Sequence, residues 1–250
     1  MTTVLQAFEQ HVQSVRRLMN FDRDVLAVTI DHLRILRDDL KKHHKLDNPH
    51  LTAERTLTAI EQIRQNDSLR PRYQTIFNQA LVLLVSYFGS AVSDIFRRGA
   101  SLAIENVPES PILKQELRLT VGALRGVTAD VQGSIPDLLI EFQDISFQDM
   151  QSIGRTFRTY FQVDMDRTSA VNDVIVGQAC RHVIVHTGGT VDDRLIRQVS
   201  SATPRCVKPK LSVGEHVQFT PEEVEKVAES MRTYAAELSS KVSEKVCGPI

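Results

Sequence analysis

Residues 79–98 read "QALVLLVSYFGSAVSDIFRR", and how this run is read decides the fold. Its first 15 residues, 79–93, carry no charge and are interrupted by serines and a glycine. A membrane-spanning helix needs about 20 consecutive, predominantly apolar residues. The run therefore reads as the buried part of a helix over about residues 73–98. A helix that is apolar on nearly every face belongs at the centre of a bundle, where neighbours cover it.

Helical signals continue on both sides. Over residues 4–45 apolar side chains recur at three- and four-residue steps, as in Leu26, Ile30, Leu33 and Leu40. The cluster "KKHHK" (41–45) closes that segment; a solvated helix end is its simplest reading. A shorter helix is expected over residues 52–65, and "NDSLRP" (66–71) is a break. Downstream, Ser110 and Pro111 have the types that open a helix, predicting one to about Arg125. "SFQD" (146–149), "TVDD" (190–193) and "TPEE" (220–223) each set a hydroxyl three residues before an acid, the pattern of a capping box. A helix over residues 167–186 is stopped by Gly188 and Gly189. Only "VKPKLSVGEHVQF" (207–219) reads as extended, a candidate short β-hairpin.

These elements define an all-α helical bundle. Residues 1–70 form an N-terminal helical extension and residues 71–250 the main helical domain. The break between them is too short for a flexible linker, so the two should pack together.

Composition narrows the function. Of the 250 residues 42% are hydrophobic and 24% charged, ordinary values for a soluble globular chain. A net charge of −1 supplies no bulk field towards nucleic acid or acidic lipid, so nucleic-acid binding would need a local basic patch. The three cysteines, Cys180, Cys206 and Cys247, form neither a disulfide framework nor a zinc pattern, which suits a reducing cytoplasm. The N-terminus lacks a signal-peptide pattern. No glycine-rich phosphate loop or nucleophile elbow occurs, and no cofactor or resident metal is expected.

The densest chemistry lies in "CRHVIVHTGGTVDD", residues 180–193. His182 and His186 are four residues apart, so both rings share one helix face. Arg181 lies about 100° round the helix, and Gly177, one turn earlier on its stripe, leaves room for the guanidinium or for another chain. Three readings fit these residue types. Arg and His can simply cap the last carbonyls of a helix. Two histidines four apart can share a metal ion, although "HVIVH" lacks the glutamate of the metalloprotease motif and no third ligand is evident. Lastly, histidine can exchange protons near neutral pH while an adjacent arginine binds phosphate oxygens, as cleavage of a phosphodiester requires.

"RHVIVHTGGTVDD" resembles the signature of the HEPN superfamily, named for higher eukaryotes and prokaryotes nucleotide-binding. That signature is an arginine, often followed by a polar residue, with a histidine after four to six intervening positions. Arg181, His182 and His186 match it, late in an apolar helix and ahead of a glycine turn. Arg37 with His43 and His44 repeats the bare spacing, but at a charged helix end. The resemblance takes in about residues 72–245, and the N-terminal 70 residues lie outside it.

The resemblance implies a metal-independent endoribonuclease, a toxin or an effector of stress or antiviral defence, with RNA as substrate. The ribose 2′-hydroxyl is then the built-in nucleophile. His186 would be the acid–base residue, Arg181 the electrostatic stabiliser and His182 a helper. A homodimer with a composite active site is also implied, with room for a regulatory partner protein and no role for a membrane. Gly188 stands where one toxin branch carries a tyrosine that a partner modifies, so that regulation is not implied. Asp94 is the one acid in the part of the long helix where many relatives keep one. A non-catalytic HEPN scaffold that binds RNA or a partner protein is the alternative.

Overall fold

A computed structural model describes residues 1–43, 49–65, 74–120 and 131–247. Among them are eight α-helices: α1 (Thr2–His43), α2 (Pro49–Gln65), α3 (Gln74–Asn106), α4 (Val131–Phe142), α5 (Met150–Phe161), α6 (Ser169–His186), α7 (Asp193–Val199) and α8 (Pro221–Val246). The architecture is an all-α helical bundle, as the periodicity predicts.

Helix α3 is its axis. Ala80, Leu81, Leu84, Phe88, Val92, Ile95 and Phe96 recur at three- and four-residue steps and are all fully buried. They pack against α1, α6 and α8. By length and composition alone α3 could cross a membrane, for it is uncharged from Gln74 to Ser93. The length of the run therefore does not set its role; in the structure its apolar stripe packs against three neighbouring helices.

The first half of α1 shares this core through Phe8, Val12, Val15 and Met19. Two ion pairs fix it to α8: Arg16 with Glu225, and Arg232 with Glu9 at 2.6 Å. The division expected at residue 70 lies outside the described residues, as do the break at 66–71 and the end of the "KKHHK" cluster.

Several local expectations are corrected. Helix α3 continues past Arg98 to Asn106, so Arg97 and Arg98 are mid-helix, and Arg97 bonds Asp137 at 2.7 Å. Ser110 and Pro111 start only a 3-10 turn, Pro111–Lys114, and residues 115–120 are not helical. There "QELRLT" alternates half-buried and exposed positions, and this period-two pattern overrides the start signal. The remainder of that expected helix, 121–125, lies outside the described residues.

The caps move too. Asp149, not Ser146, caps α5, accepting from Ser152 N at 2.8 Å. Asp192, not Thr190, caps α7, accepting from Leu195 N at 2.7 Å. Aspartate is as good an N-cap as serine or threonine, so the acid nearer the helix takes the place. At α8 the capping box of Thr220 and Glu223 forms as expected. Helix α4 holds Pro136 and was not anticipated.

The expected hairpin is absent, for no strand occurs among the described residues. Its segment pairs instead with the loop after α6. Val191 N bonds Glu215 O at 2.8 Å and Val217 N bonds Gly189 O at 2.8 Å, around a single antiparallel bridge between Thr190 and His216.

Candidate functional site

Helix α6 carries the Arg–His motif, and its surroundings are set by how it is held. Thr168 caps it, and the packed face meets α8 at Gly177. A Cβ there would lie 3.0 Å from Val227 Cγ1, so glycine permits the close approach of α8. The room expected beside Gly177 is filled by that helix. At the far end Gly188 and Gly189 take φ of +63° and +82°, the left-handed turn predicted for them. Thr187 N and Gly189 N both bond Val183 O at 3.0 Å, closing the helix.

Beyond the turn, α7 folds back alongside α6, and α5 lies on the other side. Between them runs a groove of about 1190 Å³. Among the described residues six arginines line it: Arg155 and Arg158 from α5, Arg167 before α6, Arg181 on α6, and Arg194 and Arg197 on α7. Among the described residues two lining side chains are acidic, Asp149 and Asp164. Arg158 pairs with Asp164 at 2.5 Å, and Arg167 bonds Asn172 and Ser201. Among the described residues no ion pair or hydrogen bond engages the side chains of Arg155, Arg181, Arg194 or Arg197. A chain of net charge −1 thus gathers four uncompensated cations into one concavity, the local basic patch that polyanion binding needs.

The motif residues divide. Arg181 and His182 line the groove. His186 is exposed at the helix end and is not on the groove wall. Its ring stands next to that of His182, with centroids 4.7 Å apart and planes at 46°. Burial holds the His182 imidazole below its ordinary value of 6.5, and the neighbouring His186, Arg194 and Arg181 add to this, against Asp192. His182 is therefore a neutral proton acceptor at neutral pH. The guanidinium Nε of Arg181 is buried and meets no partner among the described residues.

Other candidates take structural roles. Cys180 is completely buried, and burial pushes its thiol up to about 12, so the adjacent arginine does not activate it. Asp94 is exposed and bonds Arg97 at 3.1 Å, away from the groove. Arg37, the other match to the spacing, pairs with its neighbour Asp38 at 2.9 Å. Among the described residues no three His, Cys, Asp or Glu side chains are grouped to hold a metal ion.

The arginines on α5 and α7 were missed from sequence. Their signal was the spacing "RTFR" and "RLIR", each a pair three residues apart on one helix face. Comparison with family models, with curated proteins and with solved structures gave no match. The groove must speak for itself.

Proposed function

We propose that this chain is a metal-independent endoribonuclease of HEPN type, binding single-stranded RNA along the arginine groove. The observation that carries the proposal is the adjacency of two imidazoles, 4.7 Å apart, to a groove with four uncompensated arginines. Phosphates supply the negative charge that such a groove lacks.

His182, held neutral by burial and nearby cations, accepts the proton of a ribose 2′-hydroxyl. The oxygen attacks the adjacent phosphorus, and a bond from phosphorus to the 2′-oxygen forms as the bond to the 5′-oxygen breaks. His186, entering the step protonated, gives its proton to that leaving oxygen, and proton exchange with water resets both rings. Arg181 stabilises the charge that builds on the phosphoryl oxygens. The products are a 2′,3′-cyclic phosphate and a free 5′-hydroxyl. This division gives His182 a larger part than the helper role that the resemblance implies.

Exposure of His186 off its own groove also favours a shared site in a homodimer, where a second copy covers it. Incubation with single-stranded RNA in EDTA tests the reading. Cleavage to cyclic-phosphate ends is expected, lost in Arg181→Ala and in His186→Ala. Mixing those two inactive variants should restore about a quarter of the activity if a site pairs Arg181 of one chain with His186 of the other, and none if both come from one chain. Undiminished cutting by the variants would refute the proposal. Tight RNA binding without cleavage would favour the non-catalytic scaffold.

A further inference from the structure

Besides its arginines the groove has a lining of different chemistry. Gln178 lines it and is only 7% exposed. Among the described residues neither its Oε1 nor its Nε2 meets a partner. A buried amide without bonds is costly, and buried polar side chains are nearly always paired. The same groove is lined by Val171, Ile175, Met165 and Ala179, and by the deeply buried Tyr234. The stretch of groove that these residues line, here termed the recess, combines apolar side chains, an amide with unmet donors and an unmet acceptor, and cations.

We propose that this recess receives one nucleobase, with its phosphate held at the arginine rim; the inference rests on the RNA reading of the same groove and names the unit recognised. The apolar walls suit a flat heterocycle that has left its stack. The amide bonds a base whose amino group lies next to a ring nitrogen, accepting from the first and donating to the second. Adenine presents that pair on its N6–N7 and N6–N1 edges and cytosine on N4–N3, whereas guanine presents two acceptors on its N7–O6 edge and has the pair only at N2–N3, next to the ribose. Gln178 lies one helical turn before His182, on the same face. A base seated on the amide thus sets its ribose towards the imidazole. Specificity and cleavage would be neighbours on one helix.

Calorimetry on the intact protein with adenosine 5′-phosphate, guanosine 5′-phosphate and ribose 5-phosphate tests this without relying on turnover. The adenine nucleotide should bind about tenfold or more tightly than ribose 5-phosphate or the guanine nucleotide. Gln178→Leu should level the series while leaving ribose 5-phosphate affinity unchanged. Adenosine 5′-phosphate should also displace a fluorescent oligoadenylate, since free nucleotide and chain share the recess. Equal binding of the three ligands, which needs no variant to observe, would overturn the proposal; so would failure of the nucleotide to displace the oligomer. RNA cleavage with no base preference would overturn this inference and spare the nuclease reading. Selective adenine binding without cleavage would do the reverse.

Discussion

The two halves of α6 both bury polar side chains, and they treat them in opposite ways. Upstream, Asp173 Oδ1 accepts from Cys206 N at 2.8 Å and Val207 N at 2.9 Å. Asn172 donates to Pro204 O at 2.9 Å and accepts from Arg167. These bonds tie the loop before α8 to the helix, leaving only Asp173 Oδ2 without a partner among the described residues. Downstream, both ends of the Gln178 amide and Nε of Arg181 are buried without partners, and all of them border the groove. Desolvation costs both halves, yet only upstream do protein hydrogen bonds offset it. Polar groups upstream hold the fold; on the proposed reading, those downstream await a ligand.

If that contrast is right, substitutions in the two halves should fail in different ways. The largest effect is on cleavage. Arg181→Ala and His182→Ala should each lower the rate about 10²–10⁴-fold, with little change in thermal midpoint. A collapse of the midpoint in either variant would move the downstream half into the structural class. Next comes Asp173→Ala, which leaves two backbone N–H groups unbonded. Urea unfolding should show a loss of about 3 kcal/mol, and RNA affinity should fall only with folded fraction.

A smaller effect with opposite signs sharpens the comparison. Gln178→Leu removes an unsatisfied amide and should raise stability by about 1 kcal/mol, whereas Asn172→Leu should lower it by about 2 kcal/mol. Equal losses at both positions would mean that the Gln178 amide is bonded in the free protein. The smallest effect is in pH. His182 titrates below 6.5, so the acid limb of the cleavage profile should lie below that value. Arg194→Ala removes a positive charge, favours the imidazolium and should move the limb upward by a fraction of a unit. A downward move, read by proton NMR of the ring or by rate, would contradict the assignment.

Much of the scaffold was legible because its signals are local. The apolar stripe of α3, the Thr220–Glu223 box and the Gly188–Gly189 stop each act within a turn or two of helix. What failed was competition between equivalent local signals, as at Ser146 against Asp149, where the choice depends on how the chain enters the bundle. The segment at 207–219 reads as a short hairpin closed on itself; its observed partner is residues 189–191, joined by tertiary packing. Likewise Arg181 and His182 were legible as a motif, while the rest of the arginine rim was not. Arg155 and Arg197 lie on separate helices, and only the packing of α5 and α7 around α6 brings them to one groove. The lone state of Gln178 is a property of its surroundings and leaves no trace in spacing.

Salt dependence of RNA binding tests most directly whether this groove is where the ligand lies. A short 2′-O-methyl RNA cannot be cleaved by 2′-hydroxyl attack, so affinity is read free of turnover. With four uncompensated arginines, and about 0.7 of a log unit per phosphate neutralised on a single strand, log affinity against log salt should fall with a slope of about −3. Combined replacement of Arg155, Arg194 and Arg197 by alanine should flatten it to about −1. A slope near −3 that survives this replacement, or one near zero in the native protein, would contradict the account.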